Sequence, residues 1–204
     1  LDLIFGIPGQ NREQWRATLE ETLALESDHI SAYCLTYEED TEYFTRMSRS
    51  EYVPDKFLEA DLFEMAMEML EGSGFSQYEI SNYARPNREC RHNLAYWLGE
   101  DFLGLGPSAF STVGHKRWKN VSDTARYVSA VDAGREPVDF QERLSESVRR
   151  SERVAFSLRT NYGVASELVA KAQAEEFATI GLLVLRESRW FLTPKGRLLA
   201  DSVA

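Results

Sequence analysis

Cysteine is nearly absent. The chain holds two among its 204 residues, Cys34 and Cys90, and their spacing fits neither a disulfide framework nor a zinc site, so a reducing compartment, the cytoplasm, is expected. Positive charge is short too. With 23 Lys and Arg against 33 Asp and Glu the formal net charge is −10, which repels phosphate backbones and anionic lipid heads, so no nucleic-acid partner is expected. Long apolar runs are missing: Ile180 to Leu185, with a glycine inside, falls far short of the roughly 20 apolar residues of a membrane-spanning helix. Nor is there a Gly-x-Ser-x-Gly elbow, which leaves a hydrolase without support. An initiator Met and a charged leader are lacking as well; Leu1-Asp2-Leu3-Ile4-Phe5-Gly6 already reads as a buried strand, as if the sequence began inside a fold.

What is present is globular. A chain that is 43% hydrophobic and 12% aromatic, without low-complexity tracts, can bury one large or two small cores. Leu1 to Phe5 is followed by a turn, Gly6-Ile7-Pro8-Gly9-Gln10, and then by a helix that Asn11 and Gln14 cap and that carries Trp15, Leu19 and Leu23 on one face. Asp28 to Tyr37 is rich in strand formers and completes a βαβ unit with parallel strands. Ligands of such sheets gather at the C-terminal strand ends, here Gly6 to Gln10 and Leu35 to Glu38. A polar stretch from Glu39 to Pro54 precedes a strong helix over Lys56 to Leu70, stopped by Gly72 and Gly74.

From about Asp139 the pattern predicts a long helix with Leu144, Val148, Ala155 and Leu158, a second helix over Val164 to Gln173, and a third through Phe177 to Gly181. Leu182 to Leu185 and Trp190 to Leu192 form a small hairpin around Glu187-Ser188, and Thr193-Pro194 caps a last helix. Three helices and a wing make a winged-helix-like module. Its acidic residues Glu142, Glu146, Glu167, Glu175 and Glu176 argue against DNA binding and for a structural or substrate-covering role.

Three places have the composition of a site. Asp2 is a carboxylate at the start of an apolar strand; it needs a donor partner, which is either a neighbouring loop or a ligand such as a ribose diol. Arg91-His92-Asn93-Leu94-Ala95-Tyr96-Trp97 lies outside any clear amphipathic period. It reads as a loop in which the imidazole either takes an ordinary hydrogen bond or ligates heme iron, with the aromatics anchoring the loop or stacking on a porphyrin. Gly104-Leu105-Gly106-Pro107-Ser108 resembles half of a nucleotide loop, and close backbone approach explains its glycines equally well. His29 and His115 read as structural.

Taken in order, Asp2-Leu3-Ile4-Phe5-Gly6-Ile7-Pro8-Gly9-Gln10, His29-Ile30-Ser31-Ala32-Tyr33, Tyr78-Glu79-Ile80-Ser81-Asn82-Tyr83-Ala84, His92-Asn93-Leu94-Ala95-Tyr96-Trp97 and Leu103-Gly104-Leu105-Gly106 resemble successive landmarks of HemN/HemW-type radical S-adenosylmethionine proteins, the oxygen-independent coproporphyrinogen III oxidase family. The resemblance extends through most of residues 1–127; Gly181-Leu182-Leu183 and Leu192-Thr193-Pro194-Lys195-Gly196 are similar to the family's C-terminal domain. It implies an α/β fold: the C-terminal part of a partial (β/α) barrel with a family-specific extension over residues 1–138, beginning at about the fifth barrel strand, and a helical winged-helix-like domain over 139–204.

The resemblance also implies a [4Fe–4S] cluster on a Cys-x3-Cys-x2-Cys motif and S-adenosylmethionine at the strand ends. The three cysteines are not in this chain, so the polypeptide alone is expected to be inert. The family's ribose-binding aspartate falls on Asp2, and its two adenosine-contacting positions fall on Thr36 and Phe110, where the family has alanine and isoleucine. In the region of residues 92–97, coproporphyrinogen oxidases look like Asn-Phe-Gln-Gly-Tyr, whereas His-Asn-x-x-Tyr-Trp is similar to the heme-binding motif of HemW-type chaperones. That implies a chaperone that binds heme through His92, supported by Asn93, Tyr96 and Trp97, and hands it to an acceptor protein. A coproporphyrinogen dehydrogenase and a cofactor-free winged-helix interaction module are the alternatives, and the barrel-strand motifs argue against the second.

Overall fold

The fold follows from a computed structural model that describes residues 1–39 and 41–203. Strand β1 (Asp2–Phe5) runs parallel to β2 (His29–Cys34), with Asp2 opposite Ser31 and Phe5 opposite Cys34, as the βαβ pattern predicts. The crossover is α1 (Arg12–Ala24), whose capping box between Asn11 and Gln14 satisfies two otherwise orphaned amides. The stretch after β2 contains a short helix, α2 (Glu42–Ser48), which Thr41 caps. Asp55 then caps α3 (Lys56–Gly72) by accepting from the Phe57 and Leu58 amides.

Strands β3 (Ser76–Glu79) and β4 (Asn82–Ala84) form a hairpin, and β4 adds antiparallel to β2, giving the order β1-β2-β4-β3. Helices α1 and α3 cover one face of this sheet, over a core of Phe5, Trp15, Leu19, Ile30, Leu62, Leu70 and Tyr83. Trp15 is fully buried, and its indole N–H donates to the Leu62 carbonyl at 2.9 Å, so burying this ring leaves no polar atom unpaired. Side chains alternate across a strand, so Asp2, Ile4, Ser31 and Tyr33 point to the opposite, less covered face.

Residues 91–97, expected as a loop, form a helix instead, α4 (Arg91–Trp97). The motif pairs His92 with Tyr96 and Asn93 with Trp97 at i and i+4, so its helical period carries no apolar stripe. A second sheet is antiparallel, ordered β5 (Phe110–Val113), β6 (Lys116–Asn120) and β7 (Val138–Arg143), with α5 (Thr124–Asp132) between β6 and β7. The helix expected from about Asp139 is therefore corrected: pairing with β6 holds 138–143 as a strand, and α6 (Glu146–Leu158) starts after its Ser145 cap.

The helix expected over Val164 to Gln173 is corrected as well. Val164–Ala165 is strand β8 against β10, Ser166–Leu168 is a 3-10 turn, and α7 (Lys171–Thr179) begins later. The cause is Gly163, at φ +61°, whose added Cβ would stand 2.4 Å from the Trp190 carbonyl. Backbone approaches backbone there, and a helix has no room. The wing is β9 (Leu183–Arg186) and β10 (Arg189–Leu192), turned by Glu187 and Ser188, both at positive φ as a two-residue hairpin of this twist needs. Thr193 caps α8 (Pro194–Leu198), and α9 (Ala200–Val203) follows. Leu158, Val164, Ala174, Leu183, Trp190 and Leu192 make this module's own core. Among the described residues no helix is long and apolar enough to cross a membrane.

Candidate functional site

Helix α4 divides its motif between two faces. His92 and Tyr96, four residues apart, lie together: His92 is exposed, and the two rings meet edge to face with centroids 4.8 Å apart. Tyr96 is in turn set edge-on against Phe102 at 4.3 Å. Asn93 and Trp97 occupy the neighbouring face. The Asn93 amide donates to the Tyr78 hydroxyl at 3.2 Å, and Trp97 packs on Phe156 of α6 beneath the Arg159 guanidinium. His92 is thus presented outward, Tyr96 is half-buried between it and Phe102, and Asn93 and Trp97 fasten the helix. Trp97 is half-buried against α6 rather than beside His92.

The three histidines differ in freedom. His29 is bonded to the Tyr78 hydroxyl at 2.9 Å, and His115 contacts the Leu144 carbonyl at 3.0 Å and the Glu146 carboxylate at 3.2 Å. Among the described residues neither ring nitrogen of His92 has a hydrogen-bond or ion-pair partner. A neutral imidazole in that state has a lone pair to offer a metal.

A polar network that the sequence did not single out residue by residue joins β2, β3 and β4. Ser31 donates to Asn82 at 2.8 Å, the Asn82 amide donates to the Glu79 carboxylate, and the Ser81 amide reaches the same oxygen at 3.0 Å. Glu79 is buried, and its second oxygen has no partner among the described residues. Burial pushes its pKa up, while hydrogen bonds from Asn82 and Ser81 and the Arg159 charge pull the other way. The string Tyr78 to Ala84 was visible as a landmark, but the signal for a role, polar residues within a strand hairpin, needs the fold to be read.

Asp2 is exposed at the start of β1, the edge strand, opposite Ser31. Thr36 lies beyond the far end of β2 and lines a cleft of about 490 Å³ with Tyr33, Cys34, Glu59, Arg159 and Arg197. Phe110 is 46% exposed on β5 with the Lys119 ammonium 5.6 Å from its ring centre. Of the three only Thr36 lines that cleft; Asp2 and Phe110 do not. Gly104 is explained by packing, since an added Cβ would meet the Phe110 carbonyl at 2.0 Å. Three of the loop's amides are also occupied: Gly104 N–H donates to the Ser111 hydroxyl, Gly106 N–H to the Tyr127 hydroxyl and Ser108 N–H to the Val121 carbonyl. It is no phosphate cradle.

Cys34 is half-buried and Cys90 exposed, and among the described residues no group of three His, Cys, Asp or Glu is placed to hold a metal ion. The chain's own thiols do not fit an iron–sulfur cluster that needs three of them.

The fold is mixed α/β and matches part of a radical SAM enzyme's fold. The solved coproporphyrinogen III oxidase HemN of Escherichia coli, titled a radical SAM enzyme, superposes with a TM-score of 0.76 at 23% identity, over 99% of this chain and 52% of that one. No family model matches. Heme chaperone HemW of Mycobacterium tuberculosis is 35% identical over 207 residues, 100% of this chain and 53% of the relative, and heme chaperone HemW of Escherichia coli is 30% identical over 100% of this chain and 56% of the relative. The chain belongs to the HemN/HemW family of radical S-adenosylmethionine proteins and spans about half the length of the curated relatives it matches.

Proposed function

We propose that the chain is the heme-holding part of a heme chaperone, with His92 as the iron ligand. The observation that supports it most is the freedom of His92: it is the exposed histidine whose nitrogens have no partner among the described residues, on a helix whose Asn93 and Trp97 are tied down. Tyr96, edge-on to His92, is placed to meet the rim of a macrocycle bound there. Heme is the cargo in this reading, and an acceptor protein in the cytoplasm receives it. In the protein at the full length of its relatives, S-adenosylmethionine is held with help from Asp2, Thr36 and Phe110, beside a cluster whose thiolates come from outside this chain. Residues 1–138 serve as barrel end and extension, and 139–204 as the covering module.

The test is a heme titration of wild type and His92→Ala at full length, run beside an anaerobic assay of coproporphyrinogen decarboxylation. The expected outcome is specific heme binding that His92→Ala weakens, without decarboxylation. Turnover without specific heme binding would make the protein an oxidase, and identical heme spectra for both forms would remove His92 as ligand.

A further inference from the structure

Tyr78 is 1% exposed, yet its hydroxyl joins two elements distant in sequence: it lies 2.9 Å from His29 Nε2 on β2 and 3.2 Å from Asn93 Nδ2 on α4. A phenol has one proton to give and oxygen lone pairs to accept with. With the Asn93 amide donating to the oxygen, the phenol can give its own proton to a neutral His29 accepting at Nε2, or in the other tautomer accept from the Nε2–H as well. Burial lowers the His29 pKa against the opposing pull of Asp2, which favours the neutral form. Tyr78 sits at the irregularity between Gln77 and Glu79 in the β3–β4 pairing, where its ring is buried and its carbonyl accepts from the Asn161 amide at 2.9 Å.

Helix α4 needs such an anchor. It has seven residues, begins at Cys90 without a side-chain cap, and is too short to be stable by itself. Trp97 fastens its last turn against α6, and Asn93 fastens its first. Asn93 is the immediate neighbour of His92. Its hydrogen bond therefore sets the rotation of the first turn and with it the direction of the His92 side chain.

We propose that Tyr78 is a positioning residue for heme binding: oriented by His29, its hydroxyl holds Asn93 and so fixes how His92 presents its imidazole. This rests on reading His92 as the heme ligand. The experiment compares heme titrations of the full-length wild type, Tyr78→Phe, Asn93→Ala, the double variant and His92→Ala, with hydrogen exchange of the α4 amides in the heme-free state. Tyr78→Phe keeps the ring and removes the hydroxyl. It is expected to weaken heme binding about 3- to 10-fold, the worth of one hydrogen bond, to broaden the Soret band through mixed ligation, and to speed exchange in α4. Because both residues act through one bond, the double variant should bind no more weakly than Asn93→Ala alone. A folded Tyr78→Phe with wild-type affinity, spectrum and exchange overturns the proposal, as does strict additivity. Should Tyr78→Phe not fold, Asn93→Ala decides by the same exchange and spectral readouts. His92→Ala separates the two ideas: if it leaves the heme spectrum unchanged the underlying reading falls, and if it alone abolishes binding only the role of Tyr78 falls.

Discussion

The Arg159 guanidinium lies over the Trp97 ring, 4.8 Å from its centre, and so closes one side of the contact between α4 and α6. Phe156 meets the same ring edge-on at 5.9 Å, and the Arg149 guanidinium donates to the Gly99 carbonyl just past the helix at 3.3 Å. Phe156 and Arg149 of α6, with Arg159 at its C-cap, thus converge on α4 and the turn that follows it.

Trp97→Ala is therefore expected to act through stability. Truncating a half-buried indole removes its packing and its cation–π partner, and should cost about 2–4 kcal/mol in denaturant melts. Tyr96→Ala, which loses ring contacts with His92 and Phe102 but none with α6, should cost less. Equal losses for the two would mean that α4 is not fastened through its Trp97 face.

Much of this architecture could be read from the residues. The Trp15, Leu19 and Leu23 stripe, the Asn11 capping box and the parallel pairing of β1 with β2 follow from local periodicity and turn chemistry. Thr193-Pro194 and the Glu187-Ser188 turn were equally legible. Strand β7 and strand β8 were not, because what makes them strands lies elsewhere in sequence: the edge of β6 and the Trp190 carbonyl. At the site, His92 could be picked out by motif, but the separation of His92 and Tyr96 from Asn93 and Trp97 appears only once the segment is a helix. The Tyr78 to His29 bond joins residues 49 positions apart, which no local pattern encodes.

The two cysteines should react very differently. Burial, followed by the neighbouring Glu59 carboxylate, pushes the Cys34 pKa up to about 11, against the opposing pull of Lys56, whereas Cys90 is exposed. At mildly alkaline pH a thiol reagent is expected to modify Cys90 rapidly and Cys34 only on unfolding, read by mass spectrometry of native and denatured samples. Because the folded pKa of Cys34 is raised, its contribution to stability is intact below its ordinary value of 9.0 and is lost as pH rises toward 11. A Cys34→Ala variant should lack that alkaline loss.

Glu79 makes the matching prediction on the acid side. Burial raises its folded pKa above the ordinary 4.5, so its protonated form fits the site better, and its contribution is full below 4.5 and declines as pH rises through the folded value. Glu79→Gln keeps an acceptor for Ser81 and Asn82 without the charge. Wild type should therefore lose stability relative to Glu79→Gln between acid and neutral pH, measured as the difference in urea midpoints. A wild type that instead gains relative to the variant would show that Arg159 outweighs desolvation.

Asp2 is the residue on which a structural and a ligand role separate most cleanly. Among the described residues Asp2 stands exposed at the first residue of β1, with Ser31 across from it. Removing it should hardly disturb folding, because an exposed group at a strand end contributes little packing. Its worth should appear only when a diol is present to donate to it. In the protein at the full length of its relatives, Asp2→Ala is expected to weaken S-adenosylmethionine binding by roughly 10-fold or more, the worth of a hydrogen bond to a charged acceptor, at an unchanged melting temperature. Calorimetric titration supplies the first quantity and a thermal melt the second. Asp2→Asn, which keeps one acceptor oxygen but loses the charge, should fall between the two. Unchanged affinity in a well-folded Asp2→Ala would withdraw Asp2 from the ligand site, and a lowered melting temperature with unchanged affinity would make it a structural carboxylate after all.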